Sequence, residues 1–457
     1  MRYFRIFGYY PISSLSCERS TDVLTALTTF FQKSLFKLRN EIDLSWKCPI
    51  SSPVTNHPLL PLLTIGPEGY LASIVGRTHF GPKILLSFGG TPRRRFKIIL
   101  SKLALYTQFL SLVTCAMIKR RGAFDIGSGA TKLQVSDVTS SGTLLNTLFG
   151  QEIPCAFGAD WLRSSDGCLS DAIQDKGVQI LKDLKLIGDD LGVESYAVIA
   201  TEVFRKAQNG HLFLERVRSM GISVTVISQE IEAELGYATA VAHNTGKSQK
   251  CIAWDSGGGS FQISTLDPIS ISCAEDKPDF KKLLMYMGSF GSGVATVSLI
   301  EDVQKRKLSD RITPNPVSVA DADRLIDVLT SRMDMTVPVW LRDAPEVVAI
   351  GGPNSIFQLA CNVLTIMKRE QTSGNSAKIS SFTLSNVRSA IEECADRSDE
   401  YLQQFLAFPN SDPVTIVIPK LCLLFTVMKH TGIQRVRAVD CIGSCPGILT
   451  TDKFFSQ

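Results

Sequence analysis

One short pattern occurs twice in this chain. Phe124-Asp125-Ile126-Gly127-Ser128-Gly129 returns as Trp254-Asp255-Ser256-Gly257-Gly258-Gly259-Ser260, so that Asp125 and Asp255 lie 130 residues apart. Each copy stands between two strand-like runs, the second being Lys132–Val135 in one case and Phe261–Ser264 in the other. Glycine lets a backbone approach a ligand closely and aim N–H groups at anionic oxygens. An aspartate at the lip of such a turn can hold a divalent cation, and the hydroxyls of Ser128 and Ser260 can donate to phosphate. A lone Asp-x-Gly is most often a solvated hairpin turn. Repetition at domain-sized spacing points instead to a duplicated unit whose two turns grip one phosphate chain from both sides.

The 457 residues suffice for two or three domains, and with 44% hydrophobic and 20% charged residues they can bury a sizeable core. The net charge of +4 conceals an asymmetry. Residues 1–117 carry 14 Lys and Arg against 5 Asp and Glu, while the remainder carries 34 against 39. The basic excess is thus confined to the front and does not mark a nucleic-acid binder. The twelve cysteines contain no C-x-x-C pair and the five histidines are far apart. Buried free thiols in a reducing compartment are expected, and a zinc site is not.

Residues 1–117 read as an atypical N-terminal extension, weakly periodic and poorly ordered, with a basic run at Arg93-Arg94-Arg95. The apolar stretch Leu103–Ile118 is too short and polar for a membrane span. A cytoplasmic location is expected, although Arg2, Arg5 and Arg19 with a single acid, Glu18, also resemble a mitochondrial presequence. From residue 118 strands and helices alternate, which predicts an α/β fold. The expected elements are a hairpin (Ala123–Ile126, Lys132–Val138), a helix over Leu169–Leu191 and a strand at Tyr196–Ala200. A helix over Glu202–Asn209, stopped by Asn209-Gly210, and another over Leu212–Met220 follow. Then come a strand at Ser223–Ile227 and a helix capped by Ser228. A linker at residues 243–248 divides two lobes, 118–245 and 249–457.

The helix after Ser228 carries Glu230, Glu232 and Glu234. Glu230 and Glu234 share one face, and Glu232 flanks the apolar stripe from the other side. A carboxylate in a first helical turn is held ionised by the helix dipole and, beside a phosphate cradle, can deprotonate a water. Three acids at a helix start are also ordinary. Arg205, one turn after Thr201, has the guanidinium suited to a bidentate grip on phosphate. Val347–Ile350 runs into Gly351-Gly352-Pro353 and a helix, a generic way to place backbone amides at a ligand.

Taken in order, Asp125–Ser128, Ala200–Gly210, Ile227–Ala233, Asp255–Ser260 and Ile350–Gly352 resemble the motifs of the Ppx/GppA family. These are exopolyphosphatases and guanosine pentaphosphate phosphohydrolases of the actin-like ATPase superfamily. The resemblance covers about residues 119–450, including a closing turn at Gly443–Leu449. It implies two ribonuclease-H-like lobes with the active site in the cleft between them. It implies Mg²⁺-dependent release of terminal phosphate from polyphosphate or pppGpp, and a homodimer, with no nucleic acid or membrane partner. By position Glu232 matches the water-activating carboxylate and Arg205 the arginine that meets the phosphate chain. Asp125 and Asp255 match the metal-facing aspartates. Gly127, Ser128, Gly129, Gly257, Gly258, Gly259, Ser260, Gly351 and Gly352 match the phosphate-binding turns.

The chain departs from the family pattern at several points. Gly129 and Ala130 replace two polar residues, and Ser256, Phe261 and Gln262 differ in the second turn. Gln262 stands for a carboxylate expected near the metal, and Glu234 stands where an arginine is usual. The sequence has no counterpart of the C-terminal helical region of longer members, which implies a short polyphosphate or nucleotide substrate. The departures leave two alternatives open: a catalytically impaired sensor of polyphosphate or nucleotide, and another actin-like phosphotransferase such as a sugar or acyl kinase.

Overall fold

The computed structural model describes residues 118–243, 251–267, 283–308, 313–333, 336–372, 377–407 and 414–455. The extension 1–117 and most of the expected linker lie outside the described residues.

The predicted hairpin is present as β1 (Ile118–Ile126) and β2 (Ala130–Thr139), which pair antiparallel with Asp125 opposite Lys132. β2 continues to β3 (Leu144–Pro154), a strand absent from the sequence reading. Its mostly exposed residues lack the alternation that betrays a half-buried strand. On the other side β1 pairs parallel with β4 (Ser195–Ala200), and β4 with β5 (Val224–Val226). The order is β3-β2-β1-β4-β5.

The second half repeats this plan. β6 (Ala253–Ser256) and β7 (Phe261–Leu266) form the matching hairpin, with Asp255 opposite Gln262. β8 (Leu283–Gly288) extends it, while β9 (Val347–Gly351) and β11 (Arg435–Asp440) add in parallel on the other side. A short β10 (Ser381–Thr383) completes a sheet of order β10-β11-β9-β6-β7-β8. The path β8-β7-β6-β9-β11 therefore repeats β3-β2-β1-β4-β5 in both order and sense. Two lobes of one repeated topology are the result.

In the first lobe, α1 (Phe157–Arg163), α2 (Asp171–Asp190), α3 (Glu202–Lys206) and α4 (Gly210–Arg218) cover one face of the sheet. α2 starts where Ser170 accepts from the Ile173 N–H, as an N-cap should. The single helix expected over Glu202–Asn209 is shorter. Asn209 bonds Leu169 through both its amide groups at 2.8 Å, which draws the chain out of the helix. Gly210 then begins the next helix rather than ending the last.

In the second lobe α6 (Ser292–Ser298), α7 (Val319–Ser331), α8 (Ile356–Thr372), α9 (Leu384–Cys394) and α11 (Val417–Thr431) enclose a core built on Trp254, Phe261, Ile263 and Phe357, to which α10 (Asp399–Leu406) adds Leu402 and Leu406. The run Val414–Thr431 is long and apolar enough by composition to cross a membrane, yet 67% of it is buried inside the protein. It is the central helix of this lobe, and apolar all round for that reason.

Between the sheets lie α5 (Gln229–His243) and α12 (Cys445–Leu449). Leu235 of α5 joins Ala123, Ala197 and Ile199 of the first sheet, whereas Tyr237 and Ala240 join Ala253, Val348 and Ile350 of the second. Gly447 lets α12 press onto α5, since a Cβ there would lie 2.3 Å from the Leu235 carbonyl. The segment after α12 returns to the first lobe. Arg121 of β1 donates to the carbonyls of Leu449 and Thr451, pairs with Asp452 and lies over the Phe455 ring. Residues 445–455, counted with the second lobe on sequence, thus also pack against the first.

Candidate active site

The two glycine turns have the same internal closure. Gly127 N–H donates to the Ala130 carbonyl and Gly257 N–H to the Ser260 carbonyl, both at 2.9 Å. They meet at their tips and both line a cavity of about 370 Å³. A Cβ on Gly258 would sit 3.3 Å from the Ser128 Cβ. The start of α6 braces the second turn from behind, with Gly293 N–H donating to the Gly258 carbonyl at 2.8 Å. Gly127, Ser128, Gly129, Gly257, Gly258, Gly259, Ser260, Gly351 and Gly352 all line the cavity, as do Asp125, Asp255 and Glu232. The repeat thus brings together what the sequence separates by 130 residues.

Asp125 is the penultimate residue of β1, and its Oδ2 accepts from Lys132 Nζ at 3.2 Å and from the Ser444 N–H at 3.1 Å. Gly443 permits this approach: its φ is +53°, and a Cβ would lie 2.5 Å from Asp125 Oδ2. Asp255 stands against Gly236 of α5. Desolvation and then the charge of Asp125 push the Asp255 carboxyl up to about 6, against the pull of Lys132. For Lys132 itself desolvation works against the charge, but Asp125, Glu152 and Asp255 prevail and hold the ammonium above its usual range.

Glu232, in the first turn of α5, is buried, with 7% of its surface exposed. Its Oε2 accepts from Gln262 Nε2 at 3.1 Å and from Arg205 Nη2 at 3.3 Å. Burial raises this carboxyl to about 7, Arg205 opposing through charge and hydrogen bond, and Asp255 and Asp125 adding to the rise. A carboxylate poised near neutrality beside an anion cleft is suited to take a proton from water. Glu230 is exposed, and Glu234 turns to Lys453 at 3.6 Å. The acid that replaces a family arginine therefore has its own cation. Gln262 likewise finds a use: its amide donates to Glu232 and to Ser260 Oγ at 3.0 Å.

Arg205 is not among the residues that line the cavity, and its guanidinium donates to Glu232 and to the Ile227 carbonyl. It orients Glu232 here. The cationic groups that do line the cavity are Lys132, Lys176 and Lys420. Lys420 is buried in α11 and donates to the Asn354 carbonyl. Glu152 and Glu202 are two further lining carboxylates. None of these five was read as a site residue. Only Lys132 left a signal, as a charge in an otherwise buried strand directly opposite the aspartate.

Among the described residues no group of three or more His, Cys, Asp or Glu could cage a metal ion. Asp125 and Asp255 form a pair of hard oxygen donors at the cavity wall. That donor set fits Mg²⁺, which is commonly held by one or two carboxylates together with substrate oxygens, and does not fit zinc.

The fold is a two-lobed α/β architecture in which the duplicated glycine turns and Glu232 line one cavity. Residues 144–275 match the model of the Ppx/GppA phosphatase family. The Ppx/GppA family member from Aquifex aeolicus is 18% identical, with a TM-score of 0.52 over 73% of this chain and 97% of its own. An exopolyphosphatase from Cytophaga hutchinsonii is 16% identical, with a TM-score of 0.52 over 72% of this chain and 96% of that one. An exopolyphosphatase-like protein, 13% identical, reaches 0.56 over 73% and 97%. At such identities structural likeness speaks for the fold, and the family match is carried by residues 144–275. Together they show that residues 144–275 are similar to the Ppx/GppA phosphatase family and that the chain shares the fold of its solved members.

Proposed function

We propose that the protein is a phosphoanhydride hydrolase that releases the terminal phosphate of polyphosphate or of a pppGpp-like nucleotide. The observation that carries this reading is Glu232: a buried carboxylate held by Arg205 and Gln262 at the wall of a cavity lined by both glycine turns. The turns offer backbone approach and the Ser260 hydroxyl to the phosphate chain, while the Ser128 hydroxyl donates to Glu202. Glu232 orients a water and takes its proton as the water oxygen bonds to the terminal phosphorus and the bridging P–O bond breaks. Phosphoryl transfer needs positioning and charge neutralisation more than covalent help, and this set supplies positioning. Mg²⁺ held at Asp125 and Asp255 would supply neutralisation of the phosphate oxygens when bound. Lys132 adds a fixed positive charge beside the same aspartates.

The test is phosphate release from polyphosphate and from pppGpp in the presence of Mg²⁺, comparing the full chain with Glu232→Gln. Loss of about 10²-fold or more in the variant is expected of a general base. Tight binding of either compound by the unmodified chain, with no turnover, would replace this reading with that of a sensor.

A further inference from the structure

Glu202, at the start of α3, packs against both glycine turns and lines the cavity. Its Oε1 pairs with Lys206, one helical turn on, and its Oε2 accepts from Ser128 Oγ of the first turn at 3.4 Å. Gly259 of the second turn lies against the same carboxylate, so that a Cβ there would fall on Oε2. The Glu202 side chain is 12% exposed and lines the cavity, while that of Lys206 is 40% exposed. An acceptor thus stands against both turns.

A bare carboxylate in an anion seat repels phosphate. Here Lys206 offsets the charge, which leaves the chemistry of Oε2 to decide. That oxygen can only accept. Facing an unprotonated phosphate oxygen it has no hydrogen bond to make with it, and the two oxygens repel. Facing a P–OH it gains a charge-assisted bond. The end of a phosphate chain has such a group, since its second ionisation falls near about 6, as in a phosphate monoester. An internal phosphate has one strongly acidic oxygen and carries no proton near neutrality.

We propose, resting on the hydrolase reading above, that Glu202 is a specificity-determining residue that accepts the P–OH of a terminal phosphoryl group and excludes internal phosphates from the part of the cavity it lines. Restriction to chain ends then follows from an acceptor lining the cavity and needs no block at the mouth of the cleft.

Orthophosphate and sulfate separate the idea cleanly, being alike in size and differing in the proton that only phosphate keeps. Their binding to the full chain is measured calorimetrically at pH 6.5 in EDTA, alone and in competition with polyphosphate, for the unmodified protein and Glu202→Gln. The unmodified protein is expected to favour phosphate about tenfold or more. In Glu202→Gln the ratio is expected to fall to about twofold, because an amide can donate to either anion. The lost negative charge tightens both anions alike and leaves the ratio unmoved. The ratio in the unmodified protein needs no variant, so poor folding of Glu202→Gln does not rescue the idea. Equal binding of the two anions, or an unchanged ratio in a folded variant, overturns the role of Glu202 while leaving the hydrolase reading intact. If neither anion binds, the role of Glu202 falls as well, while the hydrolase reading is judged separately by phosphate release in the presence of Mg²⁺.

Discussion

Gln262 donates its side-chain amide to Glu232 from the position in the second hairpin that Lys132 holds in the first. Each stands directly opposite the aspartate of its own turn, Asp255 or Asp125. The two copies of one motif have therefore diverged at one position. One places a cation on its aspartate, and the other places a neutral donor on the proposed base.

That donor favours the ionised form of Glu232, so replacing it with an acid should be felt as a change in proton affinity. For the unmodified protein the rate of phosphate release is expected to rise with pH through about 7, the value to which burial lifts Glu232. In Gln262→Glu two carboxyls share one site and cannot both ionise, and the acidic limb is expected to move up by about one unit or more. A rate profile over pH 5–9 checks this. A limb that stays in place would mean that Glu232 is not the group being titrated.

Stability should follow the opposite course with pH. Glu232 and Asp255 both hold their protons more tightly in the folded chain, at about 7 and about 6, than carboxyls do in an unfolded one. Their contribution is fully present below the unfolded values near 4 and is lost as pH rises through 6 to 7. The midpoint of thermal unfolding is expected to fall by a few degrees between pH 5 and pH 8. Asp255→Asn and Glu232→Gln are each expected to flatten that slope, as read by calorimetry across the range.

Removal of the Lys132 ammonium leaves Asp125 and Asp255 facing each other with no fixed cation. Breaking a largely buried ion pair on one side costs about 3–5 kcal/mol. Lys132→Met is expected to lose stability on that scale in urea titrations. Lys132→Arg keeps the charge and is expected to recover most of the loss. Equal losses in the two variants would point to shape rather than charge at this position.

Gly443 should tolerate no side chain. Its left-handed backbone alone penalises alanine by about 1–2 kcal/mol. The new Cβ would also push on Asp125 Oδ2 and on the Lys132 side chain. Gly443→Ala is therefore expected to lower phosphate release more steeply than its modest loss of stability accounts for. Turnover measured beside a melting curve distinguishes displacement of Asp125 from general unfolding.

What the sequence determines by itself is the part written in local conformation. The repeated strand–glycine turn–strand places Asp125 and Asp255, the alternation of strands and helices announces the α/β fold, and the Ser228 start puts Glu232 in a first helical turn. These depend on backbone preference and periodicity over a few residues, and both are visible in a single chain. The tertiary structure decides which side chains occupy the desolvated space between those elements. Arg205 turns to Glu232, 27 residues on, and Ser128 meets Glu202 across 74 residues. Ser444 reaches Asp125 across 319 residues. Strand β3, exposed along most of its length, likewise has only its pairing with β2 to define it. No spacing rule connects positions so far apart. Their roles follow from which charges and acceptors the packed lobes leave facing one another where water no longer screens them.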